Sequence, residues 1–273
     1  IIFLICISSF SVALTLGGGP NSTTLEVAIY QALIFELDFA KASSLAGIQF
    51  LVCGSFAMVI IFFDKKNTSF ASNEFKNFEV NALYLEKSLL DWFWIIFTLF
   101  FLLTPILFLI LTGFWGMFSL PSTIYLAALN SFILAIFSGL LGVFTALSLS
   151  NFLINFNLHS KYVEILSIFI LATSPIVMGT GLFLFLRPII NLEILTPILV
   201  ILINATMSLP FMLRIILPAI TKVNDDTGKL SDSLNIKGFD RFKLITFPTI
   251  FPAISFSMGL GCALSMGDLG VVT

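Results

Sequence analysis

Charge is scarce in this chain of 273 residues: Asp, Glu, Lys and Arg together make up 10% of it. An ordinary soluble domain carries about 25% charged residues, so too little polar side chain is present here to cover a soluble globular surface. Disorder is excluded by the same shortage, since it requires low hydrophobicity with high net charge. A formal net charge of −2 leaves no basic face, and nucleic acid is therefore no partner. Cys6, Cys53 and Cys262 each lie within an apolar run. They make no disulfide framework and no metal-ligand spacing, and read as small hydrophobes inside helices. His159 stands alone. No Gly-Lys-Ser/Thr follows Gly17-Gly18-Gly19-Pro20, which removes a phosphate-binding loop. With no nucleophile–base pair, metal motif or paired carboxylates, the chain reads as neither an enzyme nor a cofactor protein.

What remains is apolar. Hydrophobic residues make up 58% of the chain, Phe alone occurs 32 times, and the mean hydropathy is +1.09. A hydrocarbon core about 30 Å thick takes about 20 apolar residues per helix. Seven windows qualify or nearly do: 1–16, 41–63, 92–111, 124–149, 162–186, 195–217 and 245–266. None shows strand alternation, so a barrel is not supported. The expected fold class is all-α, a polytopic transmembrane helical bundle with about seven spans.

Orientation follows from the basic residues of the connections. The 64–90, 150–161 and 214–244 segments hold most of the 13 Lys and Arg. The 17–40 and 112–123 segments hold none, and 187–194 holds Arg187 alone. The basic connections are thus placed in the cytoplasm and the others outside. Gly17-Gly18-Gly19-Pro20 ends a span, and Thr23 with Glu26 has capping-box spacing for an outer helix near Leu25 to Ile34.

Val12-Ala13-Leu14-Thr15-Leu16-Gly17 and Cys262-Ala263-Leu264-Ser265-Met266-Gly267 match at an offset of 250 residues, each ending an apolar run of the same direction. Parallel repeats of this kind recur in transporters. Residues 1–63 are expected to close a first repeat, 64–90 to form a cytoplasmic linker, and 91–273 to build a second repeat that stops before its last span. The absent initiator Met fits a fragment, and by itself it is not expected to transport anything.

The most informative polar stretch covers residues 219–248. Val223, Thr227, Leu230 and Leu234 fall at helical spacing and form a narrow stripe beside the solvated pair Asp225 and Lys229. Gly238 then breaks the helix, and Phe239, Phe242 and Ile245 lead into Pro248 and the next span. The stripe reads either as a solvated connection or as a docking face for a partner.

This loop resembles the signature of the membrane subunits of binding-protein-dependent ABC importers: Glu-Ala-Ala, three residues, Gly, nine residues, Ile, one residue, Leu-Pro. Laid on this chain, the signature starts at Lys229-Leu230-Ser231, places Asn235 at the Gly position and ends on Ile245-Thr246-Phe247-Pro248. Spacing, Ile245 and Pro248 are kept, Phe247 replaces Leu, and the Glu-Ala-Ala and Gly positions differ. Residues 8–46, SLNIKGFDRFKLITFP (233–248) and ALSMGDLGVVT (263–273) are similar to thiamine importer permeases, which fuse two repeats.

The resemblance implies a type I importer fold in a bacterial inner membrane. It also implies a periplasmic binding protein at the outer face, thiamine or its phosphates as substrate, and a cytoplasmic ATPase dimer that hydrolyses ATP and docks the 219–248 loop. Glu26, Glu36 and Asp38 become candidates for contact with the binding protein, although solvated charges are the plainer reading. Asp268, Asn130 and Asn204 become candidates for the translocation path. Asp268 reads equally as a headgroup-level residue or cap, and the two Asn as cross-bundle hydrogen bonders. The alternatives are a permease for ferric iron or a polyamine, or a secondary transporter or channel. The last needs ionisable groups deep in the spans, whose centres show none in the sequence.

Overall fold

The computed structural model describes residues 13–14, 24–64, 89–117, 121–155, 160–186, 188–189, 192–234, 236 and 238–268. Helices dominate them: α1 (Leu25–Ile34), α2 (Phe39–Asp64), α3 (Leu89–Met117), α4 (Ser122–Asn155), α5 (Ser160–Ala172), α6 (Pro175–Leu186), α7 (Leu192–Ser233), α8 (Gly238–Arg241) and α9 (Phe247–Gly267). A π-helical stretch, Phe242–Thr246, joins α8 to α9, and no strand occurs among the described residues. The protein is an all-α, multi-pass membrane bundle. Among the described residues five helices are long and apolar enough to cross a membrane, and a sixth crossing arises if the bent pair α5–α6 counts as one span. All of the expected window 1–16 except residues 13 and 14 lies outside the described residues, as does His159.

The expected single span over 162–186 is instead two arms bent by 80° at Thr173–Ser174. Pro175 has no N–H to offer the Leu171 carbonyl and drives the residue before it out of the helical region. Each arm, of 13 and 12 residues, is too short to cross alone. A second irregularity has the same origin. Pro248 cannot bond back to Leu244, and the turn before it widens, so that the Phe247 N–H bonds to the Phe242 carbonyl five residues back.

Residues 1–59 and 130–273 make one compact unit and residues 60–129 another. Within the first, α7 packs along α9 and also touches α5 and α6, while α1 leans on α6. Its inner core joins Val143 and Leu153 of α4, Met212, Leu213 and Ile216 of α7, and Ile250 of α9. Contact is closest where side chains are missing. A Cβ on Gly139 would stand 2.7 Å from the Cys262 sulfur, and one on Gly261 would run into the Met212 terminal methyl. In the second unit, every side chain of α3 from Trp92 to Phe114 is exposed. A helix apolar on all sides needs lipid or protein around it.

Candidate functional site

Two places gather the polar chemistry, one at each end of α9. The first is the loop that enters it. The helical part of the 219–248 stretch continues the 195–217 span: α7 runs through both to Ser233 without interruption. Thr227 donates to the Val223 carbonyl at 2.6 Å and Ser231 to the Gly228 carbonyl at 2.8 Å, so both hydroxyls serve the helix itself. The helix closes with the Ile236 N–H on the Ser231 carbonyl, and Gly238 turns the chain at φ +60°. The helix thus ends ahead of Gly238, which was expected to break it and instead opens α8. Beyond it, Arg241 donates to the Asn224 side-chain oxygen at 2.6 Å and ties α8 back onto α7. A cleft of about 460 Å³ lies between these elements and the end of α4, lined by Asn151, Ile154, Ile220, Asn224, Arg241 and Phe242 among others.

The stripe Val223–Thr227–Leu230–Leu234 does not present one open docking face. Val223 is 7% exposed and packs in the inner core with Ile220 and Ile250, and Ser231 is fully buried. Thr227 is half-buried, and Ile245 packs against the same core. These residues attach the loop to its own bundle, because an apolar stripe on a helix buries against whatever apolar surface lies nearest. Leu234 stands out at 61% exposure, joined by Leu244 and Phe247, which the stripe omitted, and by Pro248. Their signal in the sequence was weak, since Leu244 and Phe247 follow the break at Gly238 and share no helical register with Leu234. Asn235 lies outside the described residues, as do the side chains of Leu230 and Phe239.

The second place lies at the far end of α9. The helix α1 has the expected bounds, but its N-cap is Thr24, whose hydroxyl oxygen accepts from the Val27 N–H at 3.5 Å. Glu26 does not cap. It turns inward, is fully buried, and accepts from the Gln49 side-chain amide of α2 at 2.6 Å and from the Ser174 hydroxyl at 2.8 Å. Burial pushes the Glu26 carboxyl up from its ordinary range; the two hydrogen bonds pull it down, and the charge of Asp268 pushes it up again. Asp268 ends α9 in extended backbone and is half-buried. The Gln49 Oε1 has no donor.

Glu26 is therefore corrected from an outer-surface contact to an interior residue. Glu36 instead pairs with Lys41 through a 2.6 Å contact at the surface, and Asp38 accepts from the Lys41 N–H at the start of α2. Asn204, 4% exposed, donates to Ser265 of α9 at 2.7 Å, which joins two helices as the cross-bundle reading expects. Asn130 lies exposed on α4, apart from this cluster's hydrogen bonds. Among the described residues no set of three His, Cys, Asp or Glu is placed to hold a metal ion.

Comparison with known proteins bears on both places at once. The thiamine transport system permease protein ThiP of Haemophilus influenzae is 34% identical over 286 aligned positions, which take in all of this chain and 52% of the relative. Over the whole chain, this sequence aligns with thiamine transport permeases. ThiP of Brucella abortus is 30% identical over 281 positions, and ThiP of Escherichia coli K12 29% over 282, again with all of this chain aligned. The chain spans about half the length of these permeases. No protein-family model and no solved structure matches it. The alignment with ThiP includes both the 219–248 loop and the Glu26 cluster, as it includes every residue here.

Proposed function

We infer that this chain forms part of the membrane permease of an ATP-driven importer in a bacterial inner membrane, with thiamine or its phosphates as the substrate. Its fold is of the type I importer class. The substrate arrives on a periplasmic binding protein, and the 219–248 loop engages a cytoplasmic ATPase dimer that hydrolyses the ATP. The observation that carries this reading is the match to thiamine transport permeases along the entire chain, loop included. The loop's form supports it: α7 carries a membrane span and the loop on one continuous backbone, and Leu234 and Leu244 project apolar side chains there.

ATP binding closes the ATPase dimer, and a closing dimer moves whatever helix sits in its groove. Such a movement displaces α7 and α9 together, because they share the longest contact in the first unit. The chain itself binds no nucleotide and needs no cofactor in this scheme. Binding-protein delivery sets much of the selectivity, and the bundle supplies the passage.

Two measurements test the reading. Leu230→Asp with Leu234→Asp in the full permease is expected to abolish co-purification of the ATPase subunit; retained co-purification rejects the docking assignment. In cells carrying the transporter, unlabelled thiamine is expected to suppress uptake of labelled thiamine, whereas ferric iron and polyamines leave it unchanged. Suppression by either of the latter moves the substrate to that class.

A further inference from the structure

Glu26 is a carboxyl group removed from solvent without a counter-charge beside it. It is 0% exposed, and its two hydrogen-bond donors, Gln49 and Ser174, are neutral. Among the described residues no basic group pairs with it, and the charge that does act on it, Asp268, has the same sign. Buried charges in proteins are normally paired or neutralised, because removing an ion from water is costly. A second observation concerns Gln49, which is 1% exposed. Its amide nitrogen is spent on Glu26, and the oxygen on the same carbon has no donor at all. Acceptor oxygens thus outnumber donors at one buried point.

The place is assembled from four distant parts of the chain: α1, α2, the break between α5 and α6, and the end of α9. Ser174 sits in the 80° break itself, where helix continuity is already lost. A metal ion does not fit the donor set, since no three ligating side chains converge among the described residues. A diffuse organic cation asks for less: one carboxylate, a neighbouring negative charge and uncharged acceptors around it. A uniformly neutral core position would require no acidic residue here.

We propose that Glu26, Gln49 and Ser174, with Asp268, form a binding site inside the bundle for the positively charged ring of an organic cation, the Glu26 carboxylate facing the charge. The identity of that cation as thiamine rests on the functional reading above; the cation site itself does not.

The test is thermal unfolding of the purified full-length permease with four additives at millimolar concentration: thiamine, N-methylpyridinium, its neutral isostere toluene, and sodium chloride at matched ionic strength. Both organic cations are expected to raise the wild-type midpoint, and toluene and sodium chloride to leave it in place. Glu26→Gln is expected to abolish the cation shift. An equal shift in Glu26→Gln, or an equal shift with toluene or sodium chloride, overturns the site. If Glu26→Gln does not accumulate in the membrane, Asp268→Asn decides, because that residue is half-buried at a helix end. A several-fold rise in the concentration for half-maximal shift supports the site, and an unchanged value overturns it. Uptake by the assembled transporter separates the two readings. A wild type that shows the cation shift but takes up no thiamine loses the functional reading and keeps the site. Thiamine uptake without any cation shift removes the site alone.

Discussion

At the scale of single residues, Glu26 should leave its mark on the pH dependence of stability. Its carboxyl is held above the ordinary value of 4.5, chiefly by burial. Between that value and the raised one the folded protein holds a proton that the unfolded chain releases, so stability falls as pH rises through this window. The groups facing it are Gln49 and Cys53 of α2, Ser174 at the helix break and Asp268 of α9. The unfolding midpoint of the wild type, measured without organic cation, is therefore expected to drop with rising pH by more than that of Glu26→Gln. Identical profiles would remove the buried-carboxyl account. Glu26 was visible in the sequence as the partner of a cap and as an outer-surface charge. The structure caps α1 with Thr24 rather than Thr23, which leaves the Glu26 side chain out of the cap. Glu26 meets Gln49 of α2 and Ser174 at the helix break instead. Ser174, 148 residues away, gives no local pattern by which the pairing could have been found.

At the scale of elements, hydrophobic length was the reliable signal. The spans α2, α3, α4, α7 and α9 follow from it, because a run of about 20 apolar residues has few other places to go. How helices meet was less legible. Ser43 with Gly47 and Ser255 with Gly259 have the spacing for close contact, yet a Cβ on Gly47 or Gly259 would meet nothing within 4 Å. The close approaches belong to Gly139, Gly142 and Gly261, since only the facing helix decides which small residue is used. Gly261→Ala is expected to destabilise the protein by about 1–3 kcal/mol through overpacking against Met212. A double-mutant cycle with Met212→Ala should show a coupling of roughly 0.5–3 kcal/mol; zero coupling would reject the contact. Gly238 is a different case, fixed by its backbone. Gly238→Ala at φ +60° should cost about 1–2 kcal/mol, and unfolding measurements would read it directly. Proline explains the two elements that departed from regular helix: Ser174-Pro175 in the 162–186 run permits a kink, although the sequence does not set its angle of 80°.

At the scale of the whole molecule, the basic residues assign sides, and thiol labelling can check them. In a background with Cys6, Cys53 and Cys262 changed to Ala, Asp226→Cys is expected to react with an impermeant maleimide only in inverted vesicles. Glu36→Cys is expected to react from the outside of intact cells; the reverse pattern would invert the topology. The sequence assigns an orientation because translocation responds to Lys and Arg along the chain. The polar interior was not legible, because it exists only once distant segments are folded together. One feature joins these levels. At 42 residues α7 is about 63 Å long, roughly twice the hydrocarbon thickness of a bilayer. A rod of that length tilting by about 5° around its middle carries each end through about 3 Å. Pro197, Pro210 and Pro218 each remove one rung of its hydrogen-bond ladder. The helix is thus continuous along its axis but softened at three levels, so angular motion can be taken up at chosen heights within one polypeptide segment. Displacement at the loop reaches the opposite membrane face by geometry alone, without a relay of separate parts.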